Sequence, residues 1–389
     1  MKKKHLIIAL ILYIGSALGS YSAMSFFAPQ STSGPGGSSK PVMDDVQTDL
    51  GMLLEIDPSA PKDQPCPLNG AYYTAVERQA WQKQRPLFVM IENHPDSRPQ
   101  SGLGQADLVF EAVAEGGVTR FGAIYYCEAQ ARDITLAPVR SARTYYIDWA
   151  SGFNRPMYVH VGGANVPGPT DALGQLGEYG WNMENDINQF SVGFPTFVRN
   201  NNRLDRSVAT EHTMETSTER LWEVAEDRGW TNINPLTEED WADGFVGWSY
   251  EDEPADPGSV TQLSYDFWSG YNQFSVEWNY DEASDKYLRT MGGEPHLDLN
   301  TNQPIKAANV IVIQTTEKGP INEKKHMIYG TTGTGDAYIF KHGQVVQANW
   351  SKESRTSELE FTDGRGNEIE LARGLTWISV VNLQTEPDF

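Results

Sequence analysis

Cysteine is scarce in this chain: two in 389 residues, at Cys66 and Cys127. That excludes a disulfide framework and any four-cysteine zinc site. The two can form one bridge or remain two thiols, and the sequence does not choose. Bases are outnumbered, 30 Lys and Arg against 52 Asp and Glu, for a formal charge of −22. Nucleic acid is excluded as an expected partner, because polyanion binding draws on a net basic face. Lysine is missing between Lys83 and Lys286, and charge of either sign is missing from 6 to 39. There is no Gly-x-Ser-x-Gly elbow, no glycine-rich phosphate loop of the Walker or dinucleotide type, and no internal repeat. A serine hydrolase is therefore unsupported.

What is present is enough to fold. Hydrophobic content of 39% and aromatic content of 11% exclude global disorder. The length suggests two domains. Lys2, Lys3 and Lys4 precede an apolar stretch at 6–18 that can be extended to 28 if its small residues are tolerated. A cleaved signal peptide and an uncleaved signal anchor both fit residues 1–28; the length favours the anchor. In either case the lysines stay inside and the rest of the chain lies outside the cell membrane. Residues 29–80 read as a flexible tether, rich in Gly, Ser and Pro at its start, with a helical pattern near 71–84.

From 81 to 228 short apolar runs alternate with helical patterns. Strands are expected at 86–92 (PLFVMIE), 106–111, 121–127 and 157–161, with helices at 141–150, 173–176 and 216–228. The fold class expected is α/β, a mixed sheet with flanking helices. Residues 229–262 read as an acidic connector, with ten acids and one arginine between Glu226 and Asp256. From 263 to 382 strands recur between turn signals, at 275–280, 287–291, 309–315, 337–340, 344–350, 359–362, 368–371 and 376–381. That spacing predicts a β-rich domain, a sandwich or barrel.

Several long motifs resemble one family. They are Ile91-Glu92-Asn93-His94-Pro95-Asp96-Ser97-Arg98-Pro99-Gln100-Ser101-Gly102-Leu103, Ala114-Glu115-Gly116-Gly117-Val118-Thr119-Arg120-Phe121, Pro138-Val139-Arg140-Ser141-Ala142-Arg143 and Tyr158-Val159-His160-Val161-Gly162-Gly163. Gly293-Glu294-Pro295-His296-Leu297-Asp298, Trp350-Ser351-Lys352-Glu353-Ser354-Arg355 and Gly374-Leu375-Thr376-Trp377-Ile378 follow in the second half. Together these resemble the YerB-like lipoproteins, a bacterial family known as a domain of unknown function with a C-terminal companion. The resemblance implies an extracytoplasmic, membrane-tethered protein of two domains and no established activity. This sequence departs from it in having no cysteine in or just after the apolar N-terminus, and in carrying Glu211-His212-Thr213 at the end of the first domain.

The ten basic residues between Pro86 and Ala225 are all arginine. A guanidinium fork grips carboxylate or phosphate through two parallel hydrogen bonds, which an ammonium cannot do. Arg120, Arg140 and Arg143 fall at expected strand ends or the turns just beyond, where ligands sit in open α/β sheets. The site expected is an anion pocket of Arg98, Arg120, Arg140 and Arg143, with His94 and His160 beside it. The competing reading pairs these arginines with Asp107, Glu111, Glu115 and Asp148 as structural ion pairs. His94, His160 and His212 are too far apart in sequence to form a local metal motif, so no metal is expected, and no cofactor.

The function expected is a binding module of the cell envelope, held at the membrane by its N-terminal helix. Its expected ligand is an envelope glycan or phosphorylated lipid; protein partners are left open. One alternative is an enzyme on a pyrophosphate-linked precursor, since the order of strands and arginines is similar to that of the LytR-CpsA-Psr glycan phosphotransferases. Their Arg-Asp pair is missing, because Arg140 is followed by Ser141. The other alternative is a protein–protein scaffold using the aromatic C-terminal face.

Overall fold

The computed structural model describes residues 52–234, 237–252 and 258–389. The expected anchor at 1–28 and the start of the tether lie outside them. Among the described residues no helix is long and apolar enough to cross a membrane.

The first region supplies β1 (Leu87–Glu92), β2 (Leu108–Glu115), β3 (Val118–Tyr125), β4 (Met157–His160) and β5 (Asp186–Asn188). The second supplies β6 (Val276–Asp281), β7 (Lys286–Met291), β8 (Asn309–Thr315), β9 (Gly333–Lys341), β10 (Gln344–Lys352), β11 (Glu360–Thr362) and β12 (Thr376–Asn382). Helices are few: α1 (Ala75–Trp81), α2 (Thr144–Ser151), α3 (Ala172–Glu178) and α4 (Thr218–Asp227) are the longest. The N-terminal region is thus a mixed sheet with few helices, and the C-terminal region is rich in strands.

Both regions build one ten-stranded sheet, in the order β11-β10-β9-β8-β12-β2-β3-β1-β4-β5. The join is a parallel pair: Thr376 to Ser379 of β12 face Leu108 to Glu111 of β2. The expected separate sandwich or barrel is corrected here. β8 is buried along its whole length, and β12 along all but its last residue. Strands buried on both faces belong in the middle of a sheet, with a neighbour on each side. A second, smaller antiparallel sheet contains residues 262–265, β6 and β7. It turns Trp278 and Arg289 onto Trp377 of the large sheet.

Two other expectations change. Residues 64–80, read as tether, form a short hairpin and α1, whose capping box joins Thr74 and Glu77. A disulfide between Cys66 and Cys127 fastens this segment to the core. Asp107 lies beside it and accepts from Asn69 Nδ2 (2.6 Å), the Tyr126 amide (2.6 Å) and the Cys127 amide (3.2 Å). Burial still pushes its carboxyl up to about 7, against the pull of those amides. The connector at 229–262 is acidic, but Trp230 and Trp241 are buried, and the Trp241 indole donates to the Phe153 carbonyl (2.8 Å). Apolar anchors, spaced among the acids, hold it down.

The deepest polar feature is an ion pair between Glu111 of β2 and Arg289 of β7, at 2.7 Å, with both side chains fully buried. The Arg289 guanidinium lies 4.2 Å from the Trp377 ring centre and 5.2 Å from that of Trp278. Thr119 Oγ1 (2.8 Å) and Trp377 Nε1 (3.2 Å) also donate to Glu111. Arg289 Nε donates to His296 Nδ1 (3.0 Å), and His296 Nε2 reaches Gln100 Oε1 (2.9 Å). Burial first, then Arg289 and Arg98, hold His296 well below the usual imidazole range, so it stays neutral and can accept. Stranding one partner of such a pair costs roughly 3–5 kcal/mol. Arg289→Met should therefore lose about that much stability in urea unfolding. The double variant Glu111→Leu/Arg289→Met should recover at least about 1 kcal/mol of it, because no buried charge is left alone. An unchanged urea midpoint for Arg289→Met would show that the pair does not hold the two regions together.

Candidate functional site at the strand ends

The direction of the strands sets where polar groups collect. β1, β2, β4, β5, β8 and β12 all run the same way, and β3 enters from their carboxyl ends. Glu92, Glu115, Arg120 and His160 therefore lie along one edge of the sheet. Beyond Val159 and Val89 the ends of β4 and β1 part, and residues 138–142 fill the gap. The Arg140 amide donates to the Met90 carbonyl (2.8 Å), and the Val161 amide donates to the Arg140 carbonyl (3.0 Å). This brings Arg140 and Arg143 to the same edge.

Three of the four expected arginines meet here, each with a carboxylate. Arg120 and Arg143, both buried, grip opposite oxygens of Glu115; the Arg120 contact is 2.8 Å. Their remaining forks donate to the Ser141 and Ala142 carbonyls. Arg140 Nε donates to Glu92 Oε1 (2.9 Å) and is a quarter exposed. The ion-pair reading thus describes all three: Arg120 and Arg143 meet Glu115, one of the acids it named, and Arg140 meets Glu92, which it did not name. Glu111 belongs to Arg289, Asp107 to backbone amides, and Asp148 to Thr331, Gln175 and Tyr179.

Arg98 is placed apart from this group. It donates to both oxygens of Asn93 (3.1 and 3.2 Å) and to the Gln273 carbonyl (2.8 Å), and lies over the Phe274 ring at 5.0 Å. Burial pulls its pKa down to about 10, which leaves it charged at neutral pH. Beside it is a hollow of about 310 Å³, lined by Pro95, Pro99, Arg206, Met291, Glu294 and Leu297 among others. Arg206 is exposed and donates to the Asp96 and Arg98 carbonyls (3.2 and 2.7 Å).

The histidines differ in what they have free. Both ring nitrogens of His160 are used, by the Gly162 carbonyl and Asp186 Oδ1, each at 2.6 Å. His160 therefore fastens β4 to β5. His94 follows β1 and caps the single turn Pro95–Ser97, its Nδ1 accepting from the Asp96 amide (3.2 Å). His212, buried in the turn Thr210–His212, places Nδ1 on Glu92 Oε2 (2.7 Å). Its ring stacks on His94, with centres 4.9 Å apart and planes 17° apart. Glu92 and Arg206 were absent from the expected site. Glu92 had a readable signal: a carboxylate ending an otherwise apolar strand must find a cation or lie outside.

The electrostatics of Glu115 make a test. Burial would raise its carboxyl, but Arg120 and then Arg143 outweigh that and bring it down to about 2 from an ordinary 4.5. A depressed carboxyl stabilises the fold above its unfolded value, and that gain is lost as pH falls from about 4.5 toward 2. The whole effect is roughly 3 kcal/mol, at about 1.4 kcal/mol per pKa unit. Arg143→Met should remove roughly 1–2 kcal/mol of it at pH 6, and the deficit should shrink toward pH 3. Equilibrium unfolding at several pH values reads both; a deficit that does not vary with pH would mean Arg143 acts by packing alone.

The comparisons with known proteins agree with this architecture. A family model described as "Protein of unknown function (DUF3048) N-terminal domain" matches residues 73–231, and its C-terminal counterpart matches 263–378. The "Putative lipoprotein YerB" of Bacillus subtilis (strain 168) is 29% identical over 305 residues, covering 77% of this chain and 82% of that protein. A crystal structure of YerB from Bacillus subtilis superposes with a TM-score of 0.68 at 25% identity, over 84% of this chain and 100% of that chain.

Proposed function

The chain belongs to the DUF3048 family, and from that premise we propose that it is an extracytoplasmic, membrane-tethered binding protein of the cell envelope. The compartment is supported by the Cys66–Cys127 disulfide, a bond that persists in oxidising surroundings. It is supported as well by the basic-then-apolar N-terminus, and by the lipoprotein name of the relative. The ligand is an anionic group with an apolar portion, such as a phosphorylated envelope lipid.

The observation that carries this reading is the hollow beside Arg98 and Arg206. It sets two guanidiniums against one carboxylate, Glu294, with walls of Pro95, Pro99, Met291 and Leu297. Two cations against one acid leave a positive balance in a protein of charge −22. Of the four arginines expected at the site, Arg98 alone borders this hollow. Arg120 and Arg143 are engaged elsewhere, both on Glu115.

Farnesyl pyrophosphate is a suitable soluble probe, with inorganic pyrophosphate as the control for the anion alone. Wild type should bind the prenyl compound more tightly than the control. Arg206→Ala, at an exposed position, should weaken binding at least about tenfold with little change in melting temperature, as loss of a charge-assisted contact implies. Absence of saturable binding to wild type would end the reading. Turnover of the pyrophosphate would replace it with an enzymatic one.

A further inference from the structure

Among the described residues, two groups of side chains place metal-ligating atoms together. One is Cys66, Asp107 and Cys127, whose sulfurs are already joined to each other. The other is His94, Asp96 and His212, where one donor atom from each residue lies within 4.8 Å of the others. We propose that His94, Asp96 and His212 form a binding site for one divalent ion of the zinc type. This inference is separate from the anion reading and does not rest on it.

The argument begins with His212, the fixed member. Its ring is buried, and Nδ1 is held by Glu92 Oε2 at 2.7 Å. Glu92 is held in turn by Arg140 at 2.9 Å. Nε2 is thereby the nitrogen left for a metal. A carboxylate on the far nitrogen is the usual second partner of a metal-bound histidine, because it sets the ring's orientation and raises its basicity. Glu92 was not needed to pair with Arg140 through both oxygens; it spends one on each neighbour.

His94 and Asp96 form the more exposed half. His94 Nδ1 and Asp96 Oδ2 are 3.7 Å apart, close to the separation of roughly 3.3 Å between donors on a tetrahedral ion with bonds near 2.0–2.1 Å. Both side chains have room to close the remainder, being 41% and 71% exposed. The ring of His94 must turn out of its stack with His212 to do so, giving up its bond to the Asp96 amide. Two imidazoles and one carboxylate suit zinc or a neighbouring transition ion better than calcium or magnesium, which prefer oxygen. Three protein donors leave a position for water on the exposed side, the arrangement of an open rather than a structural site.

Asp96 and Glu92 bring two negative charges, and Arg140 on Glu92 and Arg206 on the Asp96 carbonyl bring two positive, so the ion would be selected by its donor atoms rather than by net charge. The residues come from two segments 118 positions apart (212 − 94), which is why no sequence motif announces them.

The full chain, stripped with chelator, would be titrated with Zn²⁺ by calorimetry and with Co²⁺ by visible absorption. One ion per chain is expected, with a Co²⁺ spectrum of a four-coordinate site. His94→Ala and Asp96→Asn, both at exposed positions, should each weaken binding at least about tenfold, and Glu92→Gln by about 10–100-fold. Zn²⁺ should raise the melting temperature of wild type and not that of His94→Ala. Binding that fails to saturate at one ion, or that is the same in wild type, His94→Ala and Asp96→Asn, would overturn the proposal in favour of loose attraction to an acidic surface.

Discussion

The arrangement of this molecule depends on one buried ion pair, Glu111 with Arg289. Each charge alone would be too costly to bury, and the pair is tolerable because the neighbouring groups partner all of it but Arg289 Nη1. Thr119 and Trp377 donate to the carboxylate, His296 accepts from the guanidinium, and two indole faces cover it. These partners come from both matched regions of the chain. Neither region can satisfy its half of the network by itself, so the parallel join of β2 and β12 and the charged pair above it require each other. The sequence of contacts continues outward: His296 to Gln100, Gln100 to the Glu92 carbonyl, and Glu92 to Arg140 and His212. The candidate site is thus the outer end of the network whose inner end joins the two regions.

That continuity constrains the site. Gln100 also donates to Asn93 Oδ1, and Asn93 accepts from Arg98. The loop 93–100, which carries His94, Asp96 and Arg98, is therefore fixed at Asn93, Arg98 and Gln100, while Asp96 between them reaches into solvent. The loop's backbone is tied through its middle as well, by Arg206 at Asp96 and Arg203 at Ser97, so what it offers a ligand is its exposed side chains on a fixed backbone, which suits a binding function. Its anchors limit the loss of order on binding, and its exposed residues can still adjust.

Much of the strand pattern was legible, and the reason varies by element. Residues 309–315 read as a strand and are one, because an apolar run ends at polar residues on both sides. β9 begins at Gly333, four residues before its legible part at 337–340. Its first residues, Gly-Thr-Gly-Asp, have little strand preference and are held by the ladder to β10 alone. Pairing was not legible at all. Leu108 and Thr376 are partners across 268 positions (376 − 108), and nothing in a run of apolar residues names its neighbour. Hence the expected C-terminal sandwich, where the strands in fact extend the first sheet. The same limit applied to the site. The arginines were visible by type and place, but which acid each one meets depends on register.

The exclusive use of arginine from 85 to 228 now has a structural account. Arg85 donates to the carbonyls of Thr231, Arg155 and Glu184, three separate segments. Arg203 reaches the Ser97 and Pro99 carbonyls, and Arg120 and Arg143 each join Glu115 to a backbone carbonyl. One planar cation satisfies several carbonyls of loops that have no ladder partner, in directions that a single ammonium would cover less well. The second region, built from long hairpins whose carbonyls already pair, has less need of such ties. There, Lys352 is enough to close the Arg355 and Ser357 carbonyls of one loop. The arginine bias is then first a consequence of many irregular loops gathered at the strand ends. Those loops are also what gives this edge of the sheet its hollow and its converging histidines, so scaffold and candidate site share one cause.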